Sequence, residues 1–129
     1  MNEKLIKTMD LKNGIRLDFY DCSRRLAGDR WLVSLIVRMK IPVTEVFTHH
    51  DSSSTELVKE MRNLLGEGVL FEQKRERIFV DEDRKDEVFK ELHDNFLNNT
   101  LHYLSNEKFP GRYVLKRYKE EVKKSSWYH

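Results

Sequence analysis

At 129 residues, 39% of them apolar and 36% charged, the chain is long enough to fold around one core without staples and too apolar to be disordered. Its 24 Lys plus Arg against 22 Asp plus Glu give a net charge of +2, so no global field marks it as a nucleic-acid or membrane-surface protein. The single cysteine excludes an internal disulfide, no N-terminal apolar run resembles a signal peptide, and no apolar run approaches the roughly 20 residues of a membrane span. The expectation is one cytoplasmic domain over residues 1–129 with no membrane partner.

Lys4 to Leu11 alternates loosely and runs into Lys12-Asn13-Gly14; Asn-Gly at such a place signals a hairpin. Ile15, Leu17 and Phe19 then share one face and Arg16, Asp18 and Tyr20 the other, the period-two pattern of a half-buried antiparallel strand. Asp21 to Asp29 reads as a longer connection. Trp31 to Val43 is the strongest strand: every second residue is apolar, while the other face turns basic at Arg38 and Lys40. Pro42 has no N–H to give a ladder, so the Trp31 end should be central and the Arg38 to Val43 end should emerge at an edge or stop pairing.

His49 to Ser54 is a polar loop, and Ser53 with Glu56 forms a capping box for a helix whose stripe is Leu57, Val58, Met61, Leu64 and Leu65, stopped by Gly66 or Gly68. Val69 to Val80 is apolar at both ends and charged between, which reads as a second hairpin. Asp81-Glu82-Asp83 is placed to cap a helix running to about Leu104, with Val88, Phe89, Leu92, Phe96, Leu97, Leu101 and Leu104 as its stripe. Pro110 suits the first turn of a last helix burying Val114 or Leu115, Tyr118 and Val122, with residues 125–129 frayed. The fold class is therefore α+β: an antiparallel meander of three N-terminal strands plus a second hairpin, about four to five strands, packed on one face by about three helices, two of them C-terminal.

No P-loop, dinucleotide, zincin, C-x-x-C, G-x-S-x-G or EF-hand pattern occurs, so no catalytic residue is assigned and no cofactor is implied. His49, His50 and Asp51 offer metal-ligand chemistry, but adjacent residues rarely converge on one ion and no third ligand can be named. His93 and His102 do not help, since nine residues at 100° put them on opposite helix faces. Cys22 lies near Arg24 and Arg25, which are placed to lower a thiol pKa, yet neither a base nor an oxyanion site accompanies it.

Arg112, Lys116, Arg117, Lys119, Lys123 and Lys124 face only Glu120 and Glu121 in the last helix, which suits a phosphate backbone, with Tyr113, Tyr118, Trp127 and Tyr128 as aromatic surface for stacking. The same cations also complement the helix C-terminus and the acidic Asp81 to Asp94 segment. Arg16, Asp18, Tyr20, Arg38 and Lys40 form a polar sheet face of the kind that receives a peptide or partner strand. The favoured expectation is a small, bacterial-type, non-catalytic binding or regulatory module whose partner is another protein or a second copy of itself. Nucleic-acid binding comes next, and a metal- or thiol-dependent enzyme last. No stretch resembles a family whose activity could be carried over.

Overall fold

The computed structural model describes residues 3–44 and 55–127. In chain order they form β1 (Lys4–Asp10), β2 (Arg16–Asp21), β3 (Arg24–Ala27), β4 (Arg30–Pro42), α1 (Thr55–Leu65), β5 (Gly68–Asp81), a 3-10 turn (Glu82–Arg84), α2 (Lys85–Asn99), α3 (Leu101–Leu104) and α4 (Phe109–Trp127). All pairings are antiparallel: β4 is central, with β2 and β3 along one side, β5 along the other, and β1 outside β2. This is the expected α+β class.

The β1–β2 hairpin turns at Asn13-Gly14, where Gly14 takes φ 85° and the Gly14 N–H donates to the Leu11 carbonyl. Asn13 does more than turn the chain. Its Oδ1 accepts the Ile15 N–H, while its Nδ2 donates to the carbonyls of Leu104 and Asn106 at 2.8 and 3.0 Å, tying the hairpin to the end of α3. The segment read as a long connection instead contains β3, which folds back on β4 through a two-residue turn at Gly28 (φ 56°) and Asp29. A glycine at the first central position is what such a turn requires.

β4 carries the core. Val33, Leu35, Val37, Met39 and Ile41 point under the helices and are essentially inaccessible to solvent. Among the described residues nothing pairs with the β2 side beyond Met39, and Lys40, Ile41 and Pro42 pair with β5 alone. The second hairpin is corrected: residues 68–81 are one 14-residue strand whose register with β4 runs from Pro42↔Gly68 to Arg30↔Asp81. The charged middle that suggested a turn tip is an edge strand passing the rim of the helix layer, where Arg75 lays its guanidinium over the Phe96 ring at 5.7 Å.

Gly66, at φ 82°, stops α1. Asp81, Glu82 and Asp83 do not cap the next helix through their side chains; they lie at the strand end and in the 3-10 turn, where Asp81 pairs with Arg30 and Glu82 with Arg25. The helix expected to reach Leu104 is broken at Thr100 into α2 and α3. Val88, Leu92 and Phe96 from α2, Leu104 from α3, Phe109 and Val114 from α4, and Met61 from α1 complete the core. Leu64 and Val122, expected inside, are exposed. Helical structure in α4 continues to Trp127, into the segment expected to fray.

Candidate interaction face

Strand alternation sends every second side chain away from the helices, and among the described residues no helix covers that second face. It carries Leu5 and Thr8 of β1, Arg16, Asp18 and Tyr20 of β2, Leu32, Ser34, Ile36, Arg38 and Lys40 of β4, and Leu70, Glu72, Lys74 and Glu76 of β5. An antiparallel sheet with one wet face is ordinary. Here the wet face also exposes Leu5 by 48% and Leu70 by 55%.

All five sheet residues singled out from the sequence lie on this face. Arg38 stacks over the Tyr20 ring at 4.9 Å, donates through Nε to Glu72 at 2.6 Å and through Nη2 to Glu3. Those two hydrogen bonds, Glu72's first, raise its pKa further above the ordinary arginine range, so it stays charged. Arg16 pairs with Asp18 at 3.0 Å, and Thr8 Oγ1 donates to the same carboxylate. Lys40 has no ion pair among the described residues. Apart from Lys40, the charges of this half of the face are therefore satisfied by one another, with each exposed pair contributing about 0–1 kcal/mol to stability.

The other half is different. A hollow of about 300 Å³ is walled by Cys22, Arg24 and Leu32, floored by Ser34 and Ile36, and closed by Lys74 and Glu76. Ser34 and Ile36 are only 2% and 7% exposed although they point away from the core. Beside the hollow the β4–β5 register slips between Trp31 and Val33, and in this bulge Ile78 and Phe79 are each 65% exposed. Phe79 sits at φ 57°, a left-handed conformation that costs a non-glycine residue about 1–2 kcal/mol. Sequence reasoning missed this patch. Its one sequence signal is the Ile78-Phe79 pair itself, two large apolar neighbours of which regular alternation could bury only one; the bulge instead sets both opposite Leu32.

The remaining sequence candidates fare unequally. His49, His50 and Asp51 lie outside the described residues, as does Ser53 of the expected capping box. Among the described residues no group of three or more His, Cys, Asp or Glu is arranged to hold a metal ion. Burial, and then the charge of Glu3, push the Cys22 thiol up rather than down, the opposite of nucleophile activation; only Arg38 and Lys74 pull the other way. His93 packs against Phe19 at 5.3 Å between ring centroids, while His102 is exposed.

In α4 the six cations separate into two groups. Arg117 is engaged by Glu120 and Glu121, and Lys124 by Glu121. Arg112, Lys116, Lys119 and Lys123 follow one another at spacings of four, three and four along a solvent-facing groove beside Leu115. The Tyr113 and Tyr118 hydroxyls donate at the surface to the Leu70 carbonyl and to Glu60, which ties both side chains to neighbouring elements rather than leaving them free to stack. On the helix side, the Trp31 ring lies between Lys85 at 4.8 Å and Arg25 at 5.8 Å, its Nε1 buried without a partner among the described residues. No helix among the described residues is long and apolar enough to cross a membrane. No protein-family model matches the chain, and no curated protein or solved structure proves similar to it.

Proposed function

We propose that this chain is a binding module that acts through protein contacts made by its uncovered sheet face. The supporting observation is the set of large apolar side chains that project from that face without contributing to the core: Leu5, Leu70 and Ile78. They stand apart on the face, with Glu72, Lys74 and Glu76 between Leu70 and Ile78 on the same strand row, so what the face offers is apolar anchors set in a charged surface, the make-up of a protein contact site. The charges around it are of both signs, which favours a mixed protein surface over a polyanion. The purified chain should either exceed its monomer mass or bind one protein saturably, and Leu70→Lys with Ile78→Lys should abolish that contact. A strict monomer that binds no protein saturably would remove this reading.

The row of cations along the α4 groove supports a second reading, nucleic-acid binding. Arg112, Lys116 and Lys119 have no ion pair among the described residues, and Lys123 continues their line. Affinity for a single-stranded oligonucleotide should then fall with salt by about 0.7 log units per log unit for each phosphate neutralised. Replacing Lys116 and Lys119 by Ala should lower that slope by about 1.4. Absence of binding at low salt would end it.

A further inference from the structure

We propose that the occupant of the uncovered face is a second copy of this chain, docked so that Ile78 and Phe79 of each copy seat at the hollow floored by Ser34 and Ile36 of the other. This rests on the reading of that face as the contact surface and names its partner.

Shape is the first argument. The protrusion and the depression are side by side on one face: Leu32 stands opposite the bulge, and Glu76 precedes Ile78 by one step of the same strand row. A patch that carries both a knob and a hole can pair with its own copy about a two-fold axis, each knob meeting the other's hole. The hollow, about 300 Å³, lies at the small end of ligand sites, which suits a side-chain anchor better than a cofactor. Exposed aromatic and aliphatic anchors seated in pockets are what carry binding energy in protein interfaces.

Charge is the second. Over the rest of the face, arginines and carboxylates are consumed by one another, as in Arg38 with Glu3 and Glu72 and Arg16 with Asp18. Around the hollow, Arg24, Lys74 and Glu76 make no ion pair among the described residues. A rim with unused charges of both signs complements its own copy, whereas an anionic partner would meet Glu76 and a cationic one Arg24 and Lys74. The bulge also decides the mode of docking. It breaks the regular edge of β5 at Ile78 and Phe79, beyond the unshifted run from Gly68 to Arg77, which disfavours edge-to-edge pairing beside the hollow and favours face-to-face packing there.

The test uses the whole chain, its mass followed by light scattering over a wide concentration range, and the alkylation of Cys22, which walls the hollow, timed with a maleimide. The mass should rise from 15.6 kDa towards twice that value, and Cys22 should react about tenfold more slowly in the concentrated than in the dilute protein. Phe79→Gly removes the knob at a position whose φ glycine prefers. It should raise the association midpoint about tenfold or more without lowering the thermal midpoint. Glu76→Lys, on an exposed position, makes the rim wholly positive; it should weaken association similarly, and added salt should restore part of the loss.

A monomer at every concentration with a constant Cys22 rate overturns the proposal. If that monomer binds another protein saturably, and Leu70→Lys with Ile78→Lys prevents it, the contact face stands and only the second copy is lost. A dimer indifferent to both Phe79→Gly and Glu76→Lys overturns the proposal; if Leu70→Lys with Ile78→Lys leaves that dimer intact as well, the assignment of the face falls with it.

Discussion

Asn13 uses its acceptor and both amide donors at once, one bond within its own turn and two to carbonyls about 90 residues later in the chain. Asn13→Ala strands the carbonyl of Leu104, a fully buried residue, and should cost about 1–3 kcal/mol in urea unfolding. Asn13→Asp separates the two roles. It keeps the acceptor for Ile15 but loses both donors and sets a carboxylate against two carbonyl oxygens, so its cost should equal or exceed that of Ala. If both variants stay within about 0.5 kcal/mol of the parent, the long-range clip contributes nothing. Phe79 presents the reverse case, a residue whose backbone opposes it: replacing it by Gly relieves about 1–2 kcal/mol of left-handed strain against roughly 0.5–1 kcal/mol of added chain entropy. Fold stability should hold, and a change in association can then be read as a loss of contact.

Between elements, α1 and α4 are joined by the Tyr118 hydroxyl, which donates to Glu60 at 3.0 Å. That hydrogen bond, followed by burial, lifts the Tyr118 pKa above its ordinary value of 10.0. A folded-state pKa above the unfolded one means a stabilisation fully present below about pH 10 and lost as pH rises through the folded value. Alkaline denaturant titrations should therefore show a steeper loss of stability in the parent than in Tyr118→Phe, and equal slopes would show the bond to be ineffective. The elements also show why sequence pattern reached only part of the fold. The alternation of β4 is local and could be read directly, as could the Asn13-Gly14 turn and the stripe of α2. β3 is four residues without a clear alternation, held by its register with β4. β5 hides its period because Gln73, Arg75 and Arg77 occupy core-side positions at the rim. The hollow draws on residues 22 to 36 and 74 to 76 through three strands, and no local pattern announces a site assembled by register.

Across the whole molecule, the two faces of the sheet should respond in opposite ways to substitution. Phe96 is buried between the sheet and α2 and meets Phe19 edge-on at 5.7 Å, so Phe96→Ala opens a cavity and should cost about 3–5 kcal/mol. Leu70 has a side chain of similar apolar character but points to the uncovered face, 55% exposed. If it serves the fold, Leu70→Lys destabilises; if it serves a contact, unfolding free energy changes by no more than about 0.5 kcal/mol while binding is lost. The two quantities are measured independently, by denaturant unfolding of the dilute protein and by its mass or partner binding at high concentration. A loss of about 2 kcal/mol or more in Leu70→Lys at low concentration would mean that the side chain is covered within the monomer. The uncovered face would then be part of the fold's own packing, and the contact site would have to be sought along the α4 groove instead.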